Sequence, residues 1–263
     1  MKRELTPKMH YYGTPVVLIS SLNPDGSTNL APMSSVWWVG TTAMLGMSMN
    51  SRTVANLADR PEVVLNLVDG AMVEAVDRLA LLTGRVDVPE YKRVRGYRHV
   101  ADKFAAAGLT PADHSAGVPA PVAESLIHLH GRVRAIHEID AEGSGLRALE
   151  VSILSTQVEE DLLRPDHPTH IDPLRWDPMI MKFTEYFTGG RLAHPSSLAS
   201  GWGMPPSRHC DEPLHGRSST QDVPDREQPR GPGAHRSCRP ASTGRSPSVS
   251  CAGCSRCRAD GAP

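Results

Sequence analysis

A β-rich domain with helices at its edges, followed by a disordered tail, is what this sequence predicts, on three observations. Runs of β-branched and aliphatic residues recur from Pro15 to about Gln157, separated by turn-forming clusters. The helical patterns between them are short. Apolar side chains then almost stop after about Trp202: from Ser207 to Pro263 the large aliphatics are Leu214, Val223 and Val249, with no aromatic residue. Such a segment cannot bury enough apolar surface to offset the entropy of ordering it. The predicted division is a folded domain over residues 1–206 and a disordered, low-complexity tail over 207–263. The tail is rich in Arg, Pro, Gly and Ser and free of Lys, a composition that fits out-of-frame reading of GC-rich DNA, and sequencing the locus checks this.

The elements follow in order. Residues 1–13 form a lead-in, with Tyr11 and Tyr12 packing on the first strand. Pro15 to Ser21 (PVVLISS) reads as a buried strand, and Asn23-Pro24-Asp25-Gly26 as the turn after it. Thr28 to Ser35 is the return strand, broken near Pro32, and Ala43 to Met49 is the third. Arg52 to Asp59 suits a short helix ended by Pro61. Glu62 to Val68 is a fourth strand interrupted by Asn66. Ala71 to Leu82 reads as a helix, because Met72, Val76 and Leu79 share one face. Tyr97 to Ala107 reads as another, stopped by Gly108, and Thr110 to Pro121 as a loop. Leu126 to Ile139 alternates like a strand kinked at Gly131, with Leu146 to Gln157 as its antiparallel partner. Asp172 to Tyr186 is read as a Pro-punctuated helical segment.

Bulk composition bounds the function. A formal charge of −1 with 22% charged residues shows no basic bias toward nucleic acid or anionic membranes. No apolar run reaches the roughly 18 residues of a membrane span, and MKRELTPKMHYYG lacks a signal-peptide core, so a cytoplasmic protein is expected. All five cysteines lie in the tail. Cys251, Cys254 and Cys257 have metal-clip spacing but no apolar surroundings to bury a metal, and His128, His130 and His137 have no acidic ligand at a convincing spacing. No metal site is expected.

The informative stretch is Asn29 to Asn56. It opens with Asn29-Leu30-Ala31-Pro32-Met33-Ser34-Ser35 and closes on Ser51-Arg52-Thr53 at the start of a helix. Helix N-termini carry unpaired N–H groups and a partial positive charge, and an arginine there can fork to two oxygens of one phosphate. Hydroxyl-rich turns also cap ordinary helices, so on residues alone both readings stand.

In order, the chain carries PVVLISS, a DG turn, N-x-A-P-x-S-S, a strand, S-x-N-S-R-T-x-x-N and V-x-N-L. With Gly84, GYRHVADKFAAAGL and IDPLRWDPMIMKFTEYF, this ordered set resembles the flavin reductase-like family of FMN-binding split β-barrels over roughly residues 10–206. The resemblance implies a Greek-key split barrel with peripheral helices, a homodimer, and FMN or FAD held near the subunit interface. It places Asn29, Ala31, Ser34 and Ser35 along the isoalloxazine and ribityl chain. Ser48, Arg52 and Thr53 match the 5′-phosphate turn, with Asn56 one helical turn on. No side-chain nucleophile or acid–base pair is implied, because the flavin carries the electron chemistry.

The activity implied is hydride transfer from NAD(P)H to flavin, and from there to free flavin, a partner monooxygenase, oxygen or another acceptor. Where family reductases carry Gly-Asp-His, this chain reads Ile127-His128-Leu129-His130-Gly131. An FMN-binding electron carrier or sensor without nicotinamide-dependent activity is therefore the alternative. A pyridoxamine-phosphate type oxidase on a related barrel matches the ordered motifs less well.

Overall fold

The computed structural model describes residues 1–7, 10–194, 196 and 198, all within the compact unit Met1–Asp211. The tail predicted to be disordered, 207–263, lies outside the described residues. The first half of the chain runs β1 (Tyr12–Pro15), β2 (Val17–Leu22), β3 (Thr28–Met33), β4 (Val36–Val39), β5 (Thr42–Ser48), α1 (Arg52–Asp59) and β6 (Glu62–Leu67). A 3-10 turn at Gly70–Met72 leads into α2 (Val73–Leu79), followed by β7 (Leu82–Thr83), α3 (Glu90–Arg93), β8 (Arg98–His99) and α4 (Lys103–Ala107). Two long strands follow, β9 (Ile127–Ile139) and β10 (Leu146–Val158). The last elements are β11 (Leu163–Arg164), β12 (His167–Ile171), β13 (Ile180–Lys182) and β14 (Glu185–Phe187).

Seven strands form one sheet in the order β3-β2-β6-β9-β10-β5-β4, every neighbouring pair antiparallel. The two edge strands, β3 and β4, are consecutive in the chain. Only Ser34 and Ser35 separate them, and Ser35 O accepts a hydrogen bond from Gly46 N at 2.8 Å. The sheet is thus a barrel left open between its first and last strands and spanned at one corner by this serine pair. A Cβ at Gly46 would lie 3.0 Å from Ser35 Cβ, so the corner leaves little room for any larger residue there.

Alternation along β2 divides the core. Val17 and Ile19 join Leu45, Leu65, Leu129, Leu149 and the α1 residues Val54 and Leu57 in one cluster. Val16 and Leu18 join Val76 and Leu79 of α2 and Phe104 and Ala107 of α4 in the other. Both faces of β2 are therefore buried, which is why PVVLISS reads as an unbroken apolar run. Asn66 breaks the same pattern in β6 for a structural reason. It donates to Leu18 O at 2.8 Å and Ser20 Oγ at 3.0 Å, and accepts from Val122 N at 2.8 Å, fastening the 110–122 loop to the sheet.

Several expectations are corrected. Pro32 does not break its strand; it sits within β3, an edge strand that tolerates the lost N–H. Val36–Val39 is a strand that the sequence reading passed over. Tyr12–Pro15 pairs with β13 rather than merely lying on the first strand. Of the helix expected over Tyr97–Ala107 only Lys103–Ala107 is helical, because Asp102 caps Ala105 N at 2.9 Å and Arg98–His99 is drawn into a parallel pair with β7. Its stop at Gly108 stands, with φ +67 in the left-handed region. The helix over Ala71–Leu82 shortens to α2. The segment Asp172–Tyr186 is not helical: it turns at Asp172 and then forms the β13–β14 hairpin.

Candidate functional site

Helix α1 is seated by its own polar residues. Ser51 caps it, accepting from Val54 N at 3.0 Å. At the other end Arg60 donates to Asn23 O at 2.6 Å and Pro24 O at 3.0 Å, and Asn56 donates to Asn23 Oδ1 at 3.1 Å and Ser21 Oγ at 3.2 Å. These bonds tie α1 to the β2–β3 turn and so fix its N-terminus against β3.

At that N-terminus the Ser51 cap takes Val54 N, and Arg52 N and Thr53 N have no acceptor among the described residues. No acidic residue occupies the first turn. Such an end attracts an anion. Arg52 donates from Nε to Gly84 O at 3.2 Å, and its two terminal nitrogens meet no acceptor among the described residues. Asn29, 1% exposed, donates to Thr53 Oγ1 at 3.2 Å, while its Oδ1 is buried without a partner. Gly84 closes the group: a Cβ there would lie 2.6 Å from Asn29 Oδ1 and 3.0 Å from Arg52 Cγ.

Asn29, Arg52, Thr53 and Asn56 are therefore brought together. Thr53 and Asn56 are buried, and Asn56 gives both amide hydrogens to protein oxygens, so its part is to hold the turn. Ser48 lies one turn before α1, where its carbonyl accepts from Ser51 N at 3.0 Å and its Oγ shares a hydrogen bond with Tyr91 OH at 3.3 Å. Ala31 shares a face of β3 with Asn29 by strand alternation. Ser34 and Ser35 stand at the barrel corner, roughly 16 Å along the chain from Asn29 at about 3.3 Å per residue. Ser34 is buried, and Ser35 Oγ shares a hydrogen bond with Tyr11 OH at 3.0 Å. The candidate residues thus form an anion-receptive end and a hydroxyl corner joined by the β3 edge.

Four contributors escaped the sequence reading. Ser21, Tyr11 and Tyr91 carried no local signal, being brought in by pairing and by contacts over long sequence separation. Lys103 is the fourth. It is 3% exposed and donates to Leu30 O at 2.8 Å. Burial, aided by the charge of Lys92, lowers its ammonium to about 8. The histidines are each engaged locally: His128 Nε2 with Val122 O at 2.8 Å, His130 Nε2 with Gln157 Oε1 at 3.0 Å, and His137 with Glu150 at 3.5 Å.

The flavin reductase like domain matches residues 9–183, and the chain belongs to that family. It is 34% identical over 189 residues to protein YdfE of Bacillus subtilis (strain 168), covering 72% of this chain and 90% of YdfE. Among solved structures it is similar to flavoredoxin of Desulfovibrio vulgaris (Miyazaki F), with a TM-score of 0.59 and 20% identity over 76% of this chain and all of that one. It is also similar to a protein with a split barrel domain from Shewanella frigidimarina NCIMB 400, with a TM-score of 0.55 and 20% identity over 69% of this chain and 85% of that one. The Greek-key split barrel expected from the sequence is the fold. The described residues contain no helix long and apolar enough to cross a membrane.

Proposed function

We propose that the protein is an FMN-dependent oxidoreductase of the flavin reductase type, accepting hydride from NAD(P)H and passing electrons to a separate acceptor such as free flavin or a partner monooxygenase. The observation that carries this is the end of α1: among the described residues, two backbone N–H groups and the two terminal guanidinium nitrogens of Arg52 have no acceptor, and no carboxylate lies in the first turn. These groups would hold the 5′-phosphate. Ser48 shapes the turn that leads there, and Thr53 and Asn56 hold its underside. Asn29 and Ala31 would follow the ribityl chain along β3, with Ser34 and Ser35 at the ring end. The flavin, when bound, supplies the hydride and electron chemistry. The protein's part would be to bind and orient it.

The expected homodimer has a physical basis in β4. This edge strand turns Trp37, 56% exposed, and Val39, 69% exposed, to solvent on one face. An unpaired edge with exposed aromatic and aliphatic side chains favours pairing with a second copy.

The carrier reading is favoured by one observation, the engagement of both His128 and His130 by protein oxygens. A visible spectrum of protein with FMN, before and after anaerobic NADH and then NADPH, separates the readings. Rapid bleaching with either nucleotide supports the reductase. Bands that shift on binding but bleach only with dithionite support the carrier.

A further inference from the structure

The hydroxyl corner has a contact that its own strands do not supply. Ser35 is held through its backbone by Gly46 N, which donates to Ser35 O at 2.8 Å. A Cβ at Gly46 would lie 3.0 Å from Ser35 Cβ, so the serine side chain is confined on that side. Its Oγ meets Tyr11 OH at 3.0 Å, its partner among the described residues and 24 positions away in the chain.

Tyr11 is delivered there by pairing. β1 is zipped to β13 through Thr14 with Met181 and Pro15 with Ile180, and it lies against β4. Tyr11 O accepts from Phe183 N at 2.6 Å, where Phe183 turns the β13–β14 hairpin at φ +55. The hairpin thus clamps the Tyr11 backbone while the half-buried side chain reaches the barrel corner. Tyr12, the next residue, is 65% exposed, and its hydroxyl turns to His10 Nδ1 at 3.1 Å.

The chemistry of the Tyr11–Ser35 pair gives the contact a direction. A phenol is a stronger hydrogen-bond donor than an alkyl hydroxyl, so Tyr11 donates and Ser35 Oγ accepts. The serine proton is then left to donate elsewhere, and accepting the phenol's bond polarises it further. Packing does not require the phenol oxygen, because a phenylalanine would fill the same place, and water can serve a half-buried serine hydroxyl. What the bond adds is a fixed orientation of the Ser35 O–H.

We propose that Tyr11 is a positioning residue of the flavin site, holding the Ser35 hydroxyl so that it donates to the ring and favours the reduced flavin over the oxidised one. The inference rests on the placement of the ring end at Ser34 and Ser35 proposed above. A reduced flavin carries more negative charge on its ring than an oxidised one. A hydrogen bond to a charged acceptor is roughly twice as strong as one to a neutral acceptor. Ordering the Ser35 O–H therefore counts mainly in the reduced state, and it serves a reductase and an electron carrier alike.

Anaerobic titrations with FMN and with dithionite-reduced FMN test this, using wild type, Tyr11→Phe, Ser35→Ala and the double variant. They need no nicotinamide turnover. Tyr11→Phe should bind oxidised FMN within about twofold of wild type and reduced FMN about fivefold more weakly, on the scale of one net hydrogen bond. The double variant should be no weaker than Ser35→Ala, because a residue that acts through another adds nothing once that other is gone. Unchanged affinity of Tyr11→Phe for reduced FMN, with Ser35→Ala weakened, makes the contact a purely structural one. That result overturns the inference and leaves the ring end at the serines. Equal loss for both redox forms, or additive losses in the double variant, also overturns it. If neither substitution changes the binding of either form, the ring end lies elsewhere and the inference falls with that placement, the phosphate site at α1 untouched. Failure of wild type to bind FMN removes the flavin reading and the inference together.

Discussion

Gly84 has no side chain because Asn29 and Arg52 fill the space that one would occupy. Gly84→Ala would force a Cβ to within 2.6 Å of a buried amide oxygen, and Asn29 cannot move without leaving Thr53. This variant should lose most flavin affinity while its thermal midpoint falls only slightly, read by titration and calorimetry together. Arg52→Ala should weaken FMN binding by roughly 1.5 to 3 kcal/mol, the scale of hydrogen bonds to a charged group. Lys103 gives a prediction that does not involve flavin. Its ammonium is lowered by burial, then by Lys92, from 10.5 to about 8. Between those values the unfolded chain holds a proton that the folded chain has released, so stability rises with pH across this window. Below about 8 the full cost of burying the charge remains. Urea unfolding at pH 7.5 and pH 10 should show wild type gaining roughly 2 kcal/mol relative to Lys103→Met. Parallel pH profiles for the two proteins would contradict it.

At the scale of elements, Asn66 shows how a polar residue in an apolar strand can be a fastener. Asn66→Ala removes three buried hydrogen bonds and leaves Leu18 O, Ser20 Oγ and Val122 N in need of partners. A loss of roughly 2 to 4 kcal/mol is expected in chemical denaturation. The elements readable in the sequence are those whose signals are local. Helix α1 has a serine cap and a following proline, and β2, β6, β9 and β10 have runs long enough to declare a period. What misled was pairing that only tertiary contact decides. Arg98–His99 has helical neighbours, yet hydrogen bonds to Leu81 and Thr83 hold it extended. Ile180–Phe187 spaces its apolar residues like a helix, yet β1 pairs with one of its arms and Phe183 turns the hairpin at φ +55. The same limit applied to the site. Arg52 and Thr53 were legible because a helix start is a local event. The contacts of Gly84 with Asn29 and of Tyr91 with Ser48 were not, since each depends on where the excursion after β6 lands.

The whole molecule is organised by the gap between β3 and β4. One lip, β3, carries the candidate cofactor edge, with Asn29 at one end and the serine corner at the other. The other lip, β4, presents Trp37 and Val39. Trp37→Lys should convert a dimer to a monomer in analytical ultracentrifugation with little change in far-ultraviolet circular dichroism, because that side chain is 56% exposed and belongs to neither core cluster of the described residues. A wild type that is already monomeric would show that β4 is not a dimer edge. Whether the α1 N-terminus anchors a flavin phosphate is read by titrating wild type and Arg52→Ala with FMN and with riboflavin. Wild type should bind FMN much more tightly than riboflavin, and the gap should narrow sharply in the variant while riboflavin affinity stays the same. Riboflavin binding to wild type as tightly as FMN would contradict it.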